Sequence, residues 1–252
     1  MSRSMMHILI LVAALITALI SGLFGMAGGM IFMGVIASVM GVAEAMVVHG
    51  FVQGISNLHR SYLLRRDVRW DILGYQLIGA LPATALLFAI AFVPNKPFLF
   101  LALGLLPAFL WLPKGWFSGD AAKPRDAMIC GAMVMGLNLS AGVAGPALDF
   151  FYVKTILTRK EIVATKAATM FVSHIVKIIY FGLPLLAVAG LSTLPPNWFY
   201  VAVIPCVMIG TFIGTRLLER LSDVGFRRYT KYIVTIIGCV FLLRGLSLLG
   251  ML

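Results

Sequence analysis

Apolar stretches long enough to cross a bilayer tile almost the whole of this 252-residue sequence, and only short loops separate them. A spanning helix needs about 20 predominantly apolar residues. Inside lipid every backbone polar group must be satisfied by the chain itself, which restricts spanning structures to helices and closed barrels. Runs of this length read as helices, eight segments in all. Charged residues make up 12% of the chain, about half the share of a soluble domain. No polar region is long enough for a separate soluble module. Residues 1–252 therefore read as a single membrane domain.

The net charge of +11 does not point to nucleic acid as a partner. The basic residues sit in short loops between apolar stretches, where they orient a polytopic protein in its bilayer. Cys130, Cys206 and Cys239 all lie inside apolar segments and form no metal or disulfide pattern. They read as small packing residues, and no cofactor or metal is expected. Arg3 with the apolar run from Ile8 to Ile20 resembles a signal peptide, with small residues at Ser21 and Gly22. The run continues well beyond that point, so the segment is expected to stay in the mature protein.

The chain repeats itself. Gly25-Met26-Ala27-Gly28 matches Gly142-Val143-Ala144-Gly145 at an offset of 117 residues. At that offset Glu44 falls on Glu161, Ser56 on Ser173 and Arg60 on Lys177, while His49 falls on Lys166 and Asn57 on His174. Further on the offset is 131, with the run from Gly79 to Thr84 over Gly210 to Thr215. The extra residues fall in the loop around Gly190 to Asn197. Several matches in order with one loop insertion indicate duplication. The first repeat is residues 1–118 and the second is residues 119–252.

Loop charge sets the relative orientation of the halves. Eight full crossings would place 9 Lys and Arg on each side, which contradicts the positive-inside rule. If the first and fifth segments instead enter and return on one side, 15 of the 20 fall on the cytoplasmic side and 3 outside, with Lys166 and Lys177 inside the sixth segment. Each half is then a broken or re-entrant helical hairpin plus three transmembrane helices. An odd number of crossings makes the two repeats inverted. The fold class expected is an all-α polytopic membrane protein with inverted repeats, in the cytoplasmic (inner) membrane of a bacterium.

Local sequence supports the hairpins. The first segment, about Ile8 to Ala37, carries Gly22, Gly25, Gly28 and Gly29 near its middle. The fifth, about Ala127 to Val153, carries Gly136, Gly142, Gly145 and Pro146. Glycine weakens a helix by about 1 kcal/mol and proline by about 3 kcal/mol. Interrupted segments at matching positions of two halves point to a transporter binding site. Gly210 and Gly214 read differently, as close helix packing.

Two polar stripes accompany the tips. His49, Gln53, Ser56, Asn57 and Arg60 lie on one face of the second segment. Lys166, Met170, Ser173, His174 and Lys177 repeat those spacings in the sixth, with Thr169 beside them. A lysine at the bilayer centre costs about 2.5–3.5 kcal/mol and faces a cavity or a partner. Asp149 is one candidate partner, for Lys166 or Lys177. Thr158 and Glu161 fit a capping box at the start of the sixth segment. Arg60 reads as an interfacial anchor.

The Gly-Met-Ala-Gly-Gly tip, the Ala164-Thr165-Lys166-Ala167 run followed by His174 and Lys177, and the two-half plan together resemble the TauE/SafE family of membrane exporters. The resemblance covers nearly the full length. It implies export of sulfite, sulfoacetate or a related sulfonate. Pro146 stands where the first tip has Gly29, so the two tips differ.

A secondary transporter working by alternating access is the reading that follows. Helix N-termini at the tips, around Gly25, Gly28, Gly29, Gly142 and Gly145, receive a small anionic substrate. Gln53, Ser56, Asn57, Asn138, Ser140, Thr169 and Ser173 supply neutral hydrogen bonds. Lys166 and Lys177 supply charge, and His49 or His174 couples transport to protons. Gly- and Ala-rich helix faces suit a homodimer. An anion channel is the alternative. A membrane enzyme is disfavoured, because paired carboxylates and metal clusters are missing from the sequence motifs.

Overall fold

The computed structural model describes residues 3–24, 26–112, 119–218 and 223–251, all of them helical or in turns and loops. Among the described residues ten α-helices follow one another: α1 (Arg3–Phe24), α2 (Met26–Val39), α3 (Val42–Leu63), α4 (Trp70–Ile90), α5 (Lys96–Leu105), α6 (Pro124–Ser140), α7 (Gly145–Tyr152), α8 (Arg159–Ala189), α9 (Asn197–Leu218) and α10 (Asp223–Leu248). Five of them are long and apolar enough to cross a bilayer: α1, α4, α8, α9 and α10. The chain is a multi-pass membrane protein. Helix α3 has 22 residues but carries a polar stripe in place of a uniformly apolar surface.

The eight apolar segments become ten helices because two of them are broken. The first breaks between α1 and α2, the fifth at residues 141–144 between α6 and α7. Gly25 itself lies outside the described residues. The first break is a reversal, since Gly28 packs back onto Ser21 and the Thr17 carbonyl. At the second break Gly142 has φ +76°, a left-handed conformation that side chains disfavour. The chain restarts at Gly145-Pro146, with proline in the first turn of α7, where its missing N–H costs nothing. The capping box expected of Thr158 and Glu161 is present: the Glu161 carboxylate accepts from the Thr158 N–H at 2.9 Å, and the Glu161 N–H donates to Thr158 Oγ1 at 3.3 Å.

The main helix pairings are α1 with α9, α4 with α6, α3 with α8 and α5 with α10. The first helix of each half therefore packs on the fourth helix of the other half. Glycines make the first two pairings close. Gly210 and Gly214 of α9 lie against the Leu15 and Leu19 carbonyls of α1, as packing glycines should. Gly79 of α4 lies against the Met128 carbonyl of α6. Gly79 and Gly210 are the two positions that the 131-residue offset superimposes, and they occupy corresponding contacts.

A core that includes Phe32, Met33, Met46, Leu99, Leu139 and Phe181 packs between the helices. Large apolar side chains also cover the outside, including Leu81, Ile90, Leu183 and Val201. In water such a surface would drive aggregation, and in lipid it is the expected coat. Trp70 and Trp198 are exposed at the starts of α4 and α9, where interfacial aromatic residues anchor helices.

Candidate functional site

Helices α3 and α8 run antiparallel. Gly50 and Gly54 of α3 meet His174 of α8, and further along Gly182 meets Val47. Their polar stripes thus face each other with opposite senses and enclose a cavity of about 830 Å³. Descending α3 from its C-terminal end, the wall is Leu64, Arg60, Asn57, Gln53 and His49. Descending α8 from its N-terminal end, it is Arg159, Val163, Lys166, Met170 and His174. From Leu64 to His49 the helix rises about 22 Å, so the floor lies deep within the bilayer. The mouth is at the end that carries the basic loops between α3 and α4 and between α7 and α8.

Both hairpin tips reach the cavity. Gly29 near the start of α2 and Gly145 at the start of α7 line it. The floor is held by two histidines whose ring centroids are 5.5 Å apart, His49 and His174. His49 Nε2 is 3.0 Å from the Gly29 carbonyl oxygen. A carbonyl only accepts, so Nε2 carries the proton and Nδ1 is left as an acceptor. His174 Nδ1 is buried with no partner among the described residues.

The walls are electrically lopsided. Among the described residues, Arg60, Arg159, Lys166, Arg216 and Lys231 line the cavity against one carboxylate, Asp149. Lys166 is ion-paired with that carboxylate, the partner foreseen for it in the sequence. Lys231 lies 3.6 Å from the centre of the Trp111 ring, and Arg216 lies over Phe212. Arg60 has no acidic partner among the described residues, and its Nη2 is buried without a hydrogen bond. A low-dielectric cleft with one sign of charge concentrates ions of the other sign.

The structure sorts the residues of the two stripes and tips into three groups. Gly29, His49, Gln53, Asn57, Gly145, Lys166 and His174 line the cavity. Others hold the frame behind it. Ser56 bonds Thr211 across to α9 at 3.0 Å, and Thr169 donates to Gln76 of α4 at 2.6 Å. Ser140 donates to its own helix at Gly136, and Gly28 packs inside the first hairpin. The third group is a buried knot behind the floor. Asn138 donates to Ser173 at 3.0 Å, and Lys177 bonds Asn138 and the Gly142 carbonyl.

Several wall residues were not assigned to the site from sequence, among them Arg60, His59, Arg159, Arg216 and Lys231. The sequence pattern reads Arg60 as an interfacial anchor, yet the residue lines the cavity. The repeat offset that places it on Lys177 was the available signal. His59 also lines the wall, with Nδ1 buried and without a partner among the described residues. Nothing in the stripe spacing singles it out, because it lies one residue off the stripe.

A protein-family model described as Sulfite exporter TauE/SafE matches residues 9–241 of the chain. No curated protein and no solved structure was found to match it.

Proposed function

The chain belongs to the sulfite exporter TauE/SafE family of membrane transporters, and we propose that it carries a small sulfur oxyanion or sulfonate across the bacterial cytoplasmic membrane. The observation that carries this reading is the deep cavity that has, among the described residues, five Lys and Arg on its walls, one carboxylate, and a guanidinium nitrogen on Arg60 without a hydrogen-bond partner. A guanidinium presents a planar fork of donors that matches oxyanion geometry. The anion sits between Arg60 and the floor. Gln53, Asn57 and His174 offer donors, and the Gly29 and Gly145 tips bring helix starts toward it.

The halves are inverted repeats in this account. Support comes from the reciprocal packing of α1 on α9 and α6 on α4, and from the matched contacts of Gly79 and Gly210. One half rocks against the other, and export is alternating access between the two sides. A floor backed by Phe32, Met33 and Met46 favours a carrier over an open channel, because no continuous aqueous path is needed. The cavity mouth at the basic-loop end corresponds to the cytoplasm-facing state.

Asp149 competes with the substrate for Lys166. Asp149→Asn is expected to raise anion affinity about fivefold, since it frees a cation that is now neutralised. Lys166→Ala leaves Asp149 uncompensated and lowers affinity about tenfold or more. Equilibrium binding to the purified variants checks both signs. Transport itself is tested in proteoliposomes loaded with labelled sulfite. Saturable efflux that ceases in Lys166→Ala supports a carrier. Efflux that never saturates, accompanied by single-channel currents, would replace it with a channel.

A further inference from the structure

Lys177 is completely buried, and it lies one turn beyond His174 on the far side of the floor from the mouth. Its Nζ is 2.8 Å from His49 Nδ1, 3.2 Å from Asn138 Oδ1 and 2.8 Å from the Gly142 carbonyl oxygen. An ammonium has three N–H groups and no acceptor, so three acceptors use it completely. Nothing is left over for a solute, and Lys177 is not among the residues that line the cavity.

The partners matter more than their number. Gly142 is the left-handed tip of the second hairpin. His49 takes the Lys177 hydrogen bond on Nδ1 and spends its own proton, on Nε2, at the Gly29 carbonyl of the first hairpin. One unbroken chain of hydrogen bonds therefore joins the two tips: Gly29, His49, Lys177, Gly142. The tips belong to different halves of the molecule. Just beyond the chain, Met33 and Met46 close over Gly142. On the mouth side the matching position by repeat offset is Arg60, whose Nη2 has no hydrogen-bond partner among the described residues.

We propose that Lys177 is a latch, a positioning residue that ties the two hairpin tips together and holds the far end of the cavity shut in this state. This rests on the transporter reading, in which the halves separate at that end to release the anion. Breaking the tie removes hydrogen bonds to a charged group and biases the molecule toward the state open at the far end. The role differs from substrate contact, which the lysine's place on its stripe suggested.

Side-specific labelling tests it. Cys130, Cys206 and Cys239 are replaced by alanine, and Val163→Cys is introduced on the cavity wall as reporter. The protein is reconstituted in liposomes, and an impermeant maleimide is applied to either face. Asp67→Cys, in the loop after α3, identifies the basic-loop face. The otherwise unaltered reporter protein is expected to label from the basic-loop face alone. Lys177→Met is expected to gain labelling from the opposite face by about tenfold or more. His49→Phe, which breaks the chain at its other link, should do the same, and Lys177→Arg should stay one-sided. One-sided labelling in folded Lys177→Met and His49→Phe would overturn the latch; if Lys177→Met does not fold, His49→Phe decides. Sulfite separates the two ideas. If sulfite has no effect on reporter labelling while the Lys177→Met shift persists, the substrate assignment fails and the latch stands. If sulfite protects the reporter and neither variant shifts, the latch alone fails.

Discussion

Arg60→Gln is expected to lower affinity for a sulfur oxyanion by about 10- to 100-fold, the worth of one hydrogen bond to a charged group. Stability without anion should be unchanged or slightly higher. Both expectations come from one arrangement. Helix α3 carries Arg60 three turns from His49 along a single face, which puts the residue in the wall of the cavity. Of the wall cations, Lys166 is neutralised by Asp149, while Lys231 and Arg216 lie against aromatic rings. Arg60 retains a buried Nη2 with no partner among the described residues. An unpaired buried charge is costly, so its removal relieves the folded state. Arg60→Lys should recover only part of the binding, because a point charge does not reproduce the fork. Anion titrations together with melting curves measure both effects. Unchanged affinity in Arg60→Gln would return the residue to the role of an anchor whose stem snorkels to the interface.

Gly131→Ala is expected to destabilise the protein by about 1–3 kcal/mol or more, through overpacking. A Cβ at Gly131 would press into the Gln76 carbonyl oxygen, carbon and Cα, all of them backbone of α4. Backbone cannot swing aside as a side chain can. The α4 and α6 helices would have to separate, and Gly79 on the other side of that contact is equally crowded by Met128. Gln76 also ties α4 to Tyr152 and Thr169, so the strain would spread to α7 and α8. Gly136→Ala in the same helix is the control. Nothing lies within 4 Å of a Cβ there. That variant should gain about 0.5–1 kcal/mol from reduced chain entropy. Melting curves of the two variants should therefore shift in opposite directions. A shift of the same sign in both would show that the α4–α6 contact is looser than the structure has it.

How much of this was readable beforehand depends on whether the information is local. Apolar length, the breaks at the glycine tips and the capping box at Thr158 are properties of short stretches, and the structure has each of them. The packing glycines Gly210 and Gly214 were readable for the same reason. Periodicity placed His49, Gln53 and Asn57 on one face, and all three line the cavity. Periodicity does not say what stands opposite that face. Ser56 belongs to the same stripe but meets Thr211 from a helix 155 residues away. Ser173 meets Asn138, and Thr169 meets Gln76. Each pairing is a tertiary fact absent from the local pattern. Lys177 is the sharpest case. Its stripe assigned it to the substrate, but α8 runs on past the floor, and the lysine lands one turn too deep to touch the cavity.

The most direct test of the account is the thermal stability of the purified protein against a panel of sulfite, sulfate, thiosulfate, sulfoacetate, taurine, acetate and phosphate. A ligand that binds only the folded state adds about 2.7 kcal/mol of stability at 100 times its dissociation constant. The account predicts selective stabilisation by a sulfur oxyanion or sulfonate, lost in Arg60→Gln and in Lys166→Ala. Stabilisation by a cation or a neutral solute, with none by any anion, would contradict it and reduce the basic wall to a structural feature.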